Sequence, residues 1–146
     1  MNNKASGTAF ENEFASILAE KWFWVHLFQG NRNGQPCDVI AARDGKAYLF
    51  DCKQCAEPFF RLSRMEENQY NAMKLFEMMG NLPGMFAIKF PDKTIYLVTY
   101  KKIKELQEAG FKRINETVCR TQGATLGEWL AGFDEREEKD GDHHWQ

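Results

Sequence analysis

The stretch AYLFDCKQC at residues 47–55 is an apolar run that ends in an acid and, two residues on, a base. Alternate residues of a strand face the same side, so Asp51 and Lys53 project together while Phe50 and Cys52 occupy the other face. By themselves the two charges also read as a structural ion pair, because either one is costly to bury without a partner. The preceding segment bears on that reading. Residues 30–36, GNRNGQP, form a loop by composition, and residues 37–42, CDVIAA, form a short strand that opens with another carboxylate, Asp38. Asp44-Gly45 is a hairpin signal between the two strands, so an antiparallel neighbour can bring Asp38 opposite Asp51. Two carboxylates that close repel unless one is protonated or a cation lies between them, and hard divalent cations such as Mg2+ prefer oxygen ligands with some water retained. Alone, Asp38 also reads as an Asp that satisfies backbone donors after a loop.

Outward from this hairpin the chain alternates between elements. Thr8-Ala9-Phe10-Glu11 has the spacing of a capping box, and Phe10, Phe14, Ile17 and Leu18 recur at helical intervals, which predicts a first helix to about Lys21. Residues 22–28 are aromatic and β-branched and read as a strand, which with 37–42 and 46–53 makes a three-stranded antiparallel unit. After Pro58, Ser63 to Glu66 has the spacing of a second cap, ahead of a central helix to Gly80. Residues 84–90 and 94–100 read as strands around Pro91-Asp92-Lys93, followed by a short helix over 101–109 and a last one with a Thr-x-x-Glu cap at Thr125. The order αβββαββα predicts a mixed α/β (α+β) fold, a five-stranded sheet flanked by helices.

The chain has 146 residues, 43% apolar and 14% aromatic, enough for one core and too few for two. One domain is expected over 1–133, with a flexible acidic tail over 134–146. The net charge of −2 runs against the basic footprint of phosphate binders, but residues 134–142 hold six acids against two bases, leaving 1–133 at +2. No apolar run approaches the ~20 residues of a membrane span, and the N-terminus lacks the basic-then-apolar order of a secretory signal. A cytoplasmic protein of a bacterium or phage is expected, with Cys37, Cys52, Cys55 and Cys119 as thiols.

Asp38, twelve residues, then Asp51-Cys52-Lys53 resembles the motif of the PD-(D/E)XK nucleases, which have a restriction-endonuclease-like fold. GTAFENEF at 7–14 ahead of a helix, FFRLSRMEENQ at 59–69 and GMFAIKF at 84–90 are similar to archaeal-type Holliday junction resolvases and their phage relatives. The resemblance covers about residues 7–100. It departs from the motif in two places: Cys37 separates Pro36 from Asp38, and Asp51 stands where many members carry Glu. It implies that Glu11 belongs to the active site, binding a second ion or a metal-bound water, and that the Cys52 carbonyl faces the metal beside Asp38 and Asp51. Without the resemblance, Glu11 reads first as the capping residue of its helix.

Phosphodiester hydrolysis needs a nucleophilic water, charge neutralisation at phosphorus and help for the leaving oxygen, and Mg2+, with Mn2+ as a substitute, can supply them. Lys53 cannot hold metal while protonated, so its role would be to orient water and stabilise developing charge. DNA contacts are expected from Arg32, Arg61 and Arg64, each of which also reads as a plain surface cation, and Gln69 either touches a ligand or caps backbone. A symmetric four-way junction must be cut at two related phosphates, so a single-site chain is expected to act as a homodimer, with Trp22, Phe23, Trp24, Phe59 and Phe60 as candidate interface residues. Three other readings stand beside the resolvase: a nuclease of linear, nicked or flapped DNA, a catalytically inactive nucleic-acid-binding domain of the same fold, and a zinc or redox site at Cys52-x-x-Cys55.

Overall fold

The computed structural model describes residues 3–28 and 35–140, with side chains for 8–28 and 35–134. The chain runs α1 (Asn3–Glu20), β1 (Trp24–Leu27), β2 (Val39–Arg43), β3 (Lys46–Gln54), β4 (Phe60–Arg61), a 3-10 turn at Leu62–Arg64, α2 (Glu67–Met78), β5 (Met85–Lys89), β6 (Ile95–Thr99), α3 (Tyr100–Glu108), β7 (Arg113–Ile114), α4 (Glu116–Gln122), β8 (Ala124–Thr125) and α5 (Leu126–Asp140). The expected order αβββαββα is present as its frame. Among the described residues no helix is long and apolar enough to cross a membrane.

The main sheet has six strands in the order β1-β2-β3-β5-β6-β8, one more than the sequence predicts, and β4 pairs with β7 in a separate two-stranded ribbon. The pairings β1-β2 and β2-β3 are antiparallel as expected, whereas β3 and β5 run parallel, which makes the sheet mixed. Asp44 and Gly45 have φ of 55° and 77°, both positive as a two-residue type I′ loop demands, and Arg43 pairs directly with Lys46 across it.

Period-two alternation then divides the sheet between two cores. Val39, Ala41, Tyr48, Phe50, Cys52, Met85 and Ala87 face α1 and α5, where Phe10, Phe14, Leu18, Leu130 and Phe133 pack on them. Phe86, Ile88, Tyr96 and Val98 face the other way, onto Met73 of α2, Ile103 and Leu106 of α3, Cys119 of α4, and Phe60 and Ile114 of the ribbon. The sheet is thus a layer between two sets of helices.

Several boundaries differ from the sequence reading for identifiable reasons. α1 starts at Asn3, so Thr8 and Glu11 lie inside it and Glu11 does not cap it. Trp22 has φ 68° and forms a turn, so β1 begins only at Trp24. The cap of α2 is Glu66 rather than Ser63, because residues 62–64 are used up by the 3-10 turn and Gln69 completes the box with Glu66. The Thr125 cap is as expected: its hydroxyl accepts from the Glu128 N–H at 3.1 Å while the Glu128 carboxylate accepts from Thr125 N–H at 3.0 Å. Beyond it α5 continues into the acidic stretch as far as Asp140.

The sixth strand depends on one close approach. A Cβ at Gly123 would collide with the backbone carbonyl oxygen of Leu97, the residue that pairs with Ala124, and no side-chain rotation relieves a clash with backbone. Gly123→Ala should therefore cost about 1–3 kcal/mol. Denaturant unfolding should show this as a lower midpoint at unchanged slope, and an unchanged midpoint would contradict the close approach.

Candidate active site

The hairpin register carried one step past the Val39–Phe50 pair brings Asp38 opposite Asp51. There the backbone bends out of the ladder. Asp38 N–H still donates to Phe50 O at 3.0 Å, but the next ladder donor, Cys52 N–H, is taken by the Asp38 side chain, with Oδ2 at 2.8 Å. Asp38 therefore does satisfy a backbone donor, and in doing so its carboxylate is held against β3 beside Asp51. Such a tether fixes the ligand geometry that a metal or phosphate site requires.

Asp51 is 2% exposed and is the one buried charged residue among the described residues. It pairs across β3-β5 with Phe86, and Lys53 pairs with Ile88, so both project on the α2 side as strand alternation requires. Lys53 Nζ stands 3.4 Å from Asp51 Oδ1, yet that oxygen is buried without a hydrogen-bond partner among the described residues. The ion pair is close in distance but not aligned to satisfy the oxygen. Burial raises the Asp51 carboxyl well above the usual range, Lys53 opposes the rise, and Asp38 adds to it. The structural ion pair is thus an incomplete account of these charges, because it leaves an acceptor unmet where orphaned acceptors are rare.

Glu11 reaches the same end of the sheet from α1, on the opposite face. It is half-buried, and its carboxyl is pushed up to about 7, first by burial and then by Asp38, against the opposing pull of Lys53. Its position is held by a second contact that the sequence reading missed. Lys89, at the end of β5, places Nζ 2.6 Å from Glu13 Oε1 and lies over the Phe10 ring, tying α1 to the strand next to β3. The signal was present in the GMFAIKF segment, but a lone Lys after an apolar run does not reveal which helix it meets. Glu11 and Asp51 are each within electrostatic reach of Asp38 and Lys53.

Zinc and redox readings fail on geometry. Cys52 belongs to the core under α1 and Cys55 to the core on the other face, as their odd separation on a strand dictates, so they cannot share a metal or a disulfide. All four cysteines are free and buried. Burial raises the Cys37 thiol to about 12, and Asp51 and Asp38 reinforce it, so a thiolate is disfavoured there. The oxygens are the better donors. Among the described residues no three His, Cys, Asp or Glu side chains form a ready cage. Two adjacent carboxylates, one with an orphaned oxygen, instead fit a hard divalent cation that retains several waters, as Mg2+ does.

The remaining sequence candidates are placed differently. Arg64 Nη1 donates to Gln54 O at 2.9 Å and lies over the Phe60 ring, so it anchors the end of β3. Gln69 Oε1 accepts from Glu66 N–H at 3.0 Å, which is the capping role. Arg61 is exposed over Phe59. Arg32 lies outside the described residues.

The raised carboxyls imply a pH dependence with a definite sign. A carboxyl whose pKa is higher in the folded chain binds more protons folded than unfolded, so stability falls as pH rises between the two values. For Glu11 that window is 4.5 to about 7, and Asp51 acts in the same direction from 3.8 upward. The metal-free protein should melt at progressively lower temperature across this window, and Glu11→Gln should flatten the decline. A melting temperature that rises from pH 5 to 7, unchanged by the substitution, would contradict the burial of these charges.

Comparison with known proteins bears on the family and the fold. The family model described as Recombination protein U matches residues 31–128, which include Asp38, Asp51 and Lys53 but not Glu11. The crossover junction endodeoxyribonuclease Hjc of Methanocaldococcus jannaschii is 28% identical over 91 residues, which are 62% of this chain and 64% of the length of that protein. The Holliday junction resolvase Hjc of Archaeoglobus fulgidus, at 19% identity, shares the fold with a TM-score of 0.64 over 85% of this chain and 99% of its own. The resemblance to archaeal-type resolvases is borne out. Matched over more than half its length and folded like an archaeal junction enzyme, the chain belongs to the Recombination protein U family.

Proposed function

We propose that this chain is a metal-dependent, structure-selective DNA endonuclease that resolves Holliday junctions by paired phosphodiester hydrolysis. The observation that carries the reading is Asp51: a buried carboxylate with an unmet oxygen, beside Asp38 and Lys53 on a central strand. Such an arrangement is costly for the fold and useful for chemistry. Asp38, Asp51 and the Cys52 carbonyl would hold Mg2+, with Mn2+ as a substitute, which when bound supplies Lewis acidity at the phosphoryl oxygen and acidifies water. Lys53 Nζ, half-enclosed and next to Asp51, would orient the attacking water and stabilise the charge that develops at phosphorus. Glu11 adds a further anionic oxygen near Asp38. Arg32, Arg61 and Arg64 would contact DNA backbone.

A four-way junction has two-fold symmetry and one chain has one such site, so we propose a homodimer. Its candidate interface is narrower than the aromatic content suggests. Phe23 and Phe60 are buried in the two cores, whereas Trp22 and Trp24 are 67% and 63% exposed on and beside the edge strand β1. Two exposed tryptophans at a sheet edge suit a partner surface.

The test is incubation with Mg2+ and a four-way junction, a nicked duplex, a flap and a linear duplex of matched sequence, with mass measured by light scattering. Paired nicks across the junction by a species near twice 17.0 kDa are the expected result. A monomer that cuts all four substrates equally well would retain the nuclease and remove the resolvase. Binding without cleavage would indicate an inactive domain of the same fold.

A further inference from the structure

The two-stranded ribbon β4-β7 has no counterpart in the sequence expectations, and it carries an unusual cross-strand pair. Arg61 and Arg113 stand directly opposite one another. Like charges in directly opposed positions destabilise a pair of strands. Both are exposed, and among the described residues no ion pair includes either of them or the neighbouring exposed Lys112. Both guanidinium groups instead lie over one ring, that of half-buried Phe59, at 5.0 Å for Arg61 and 4.4 Å for Arg113. The shared ring orders the two planar cations and holds them together without neutralising them. The backbone beneath is firm, since Leu62 N–H donates to Lys112 O at 3.0 Å and the ribbon's Phe60 and Ile114 are buried.

Two ordered guanidiniums facing solvent without a carboxylate form a receptor for an anion with several acceptor oxygens. We infer that Arg61 and Arg113, set by Phe59 and aided by Lys112, grip a backbone phosphate of DNA on the arm next to the cleaved bond. This rests on the nuclease reading above and adds to it a binding pair, of which Arg113 was unassigned. The placement is suitable. Phe59 follows Lys53 by six residues, so the ribbon lies within about 20 Å of the active site, a span of about six nucleotides of one strand. Arg64, three residues beyond Arg61, donates to the Gln54 carbonyl at the end of β3 and so couples ribbon and catalytic strand. A phosphate contact of this kind fixes register and orientation and carries no sequence preference.

The test measures binding of full-length protein to a four-way junction in Ca2+, by fluorescence anisotropy across a series of salt concentrations, for wild type, Arg113→Ala, Arg61→Ala/Arg113→Ala and Arg61→Lys/Arg113→Lys. The double Ala variant should bind about tenfold or more weakly, equally for unrelated sequences, with a salt slope smaller in magnitude by about 1–2. The double Lys variant should recover the slope. All three variants should melt no lower than wild type by more than a small margin, since a like-charged pair is removed or kept and no ion pair is lost. Wild-type affinity and slope in the double Ala variant, with junction cleavage intact, would overturn the phosphate grip and leave the nuclease reading in place. A wild-type protein that neither binds nor cuts DNA would overturn both.

Discussion

Asp51→Asn should lose DNA cleavage by about 10^3-fold or more, the scale on which single catalytic groups act, and should at the same time stabilise the metal-free protein. The two effects come from one fact. Asp51 is buried with an oxygen that Lys53 approaches at 3.4 Å but does not satisfy, and Asp38 is its neighbour. Replacing the carboxylate with an amide of the same shape removes the cost of holding a charge out of water, and the new N–H group can donate to Asp38. A gain of ~1 kcal/mol would raise the melting temperature by about 2–4 °C in a chain of this size. The opposite pair of results, wild-type cutting with a lowered melting temperature, would show Asp51 to be a structural partner of Lys53 and nothing more.

Lys53→Met should reduce cleavage by about 10^2–10^3-fold while keeping the apolar stem that packs near Ile88. Its second effect distinguishes water activation from packing. Lys53 is the group that favours the charged form of Asp51 against burial and Asp38. Without it, Asp51 ionises at higher pH, so divalent-cation uptake by the variant should require a more alkaline solution than wild type needs. Cleavage lost with the pH profile of uptake unmoved would place Lys53 in catalysis alone, and wild-type cleavage would remove it from the site.

Much of the site was legible because it depends on local rules. The Asp44-Gly45 loop admits one register, which carried one step past Val39 and Phe50 brings Asp38 toward Asp51, while strand alternation sets Lys53 beside Asp51 and separates Cys52 from Cys55. The frame of the fold followed from apolar periodicity in the same way. What was not legible depends on distant partners. The sixth strand and the ribbon's strands are two residues each, too short for any period to register, and they exist because Ala124 finds Leu97 and Ile114 finds Phe60. Glu11 looked like a cap since T-x-x-E also suits the start of a helix, yet α1 extends five residues upstream of Thr8 and turns Glu11 toward the sheet end instead. Phe23 and Phe60 could not be told from surface aromatics by composition, because their burial is decided by α5 and β7.

Whether Asp38 and Asp51 together hold a divalent cation is tested by titrating Mn2+ into the wild-type protein and into Asp38→Asn and Asp51→Asn by calorimetry near pH 8, after circular dichroism has shown all three folded. Wild type should take up Mn2+ and each variant should not. No uptake by wild type, or equal uptake by all three, would contradict joint binding.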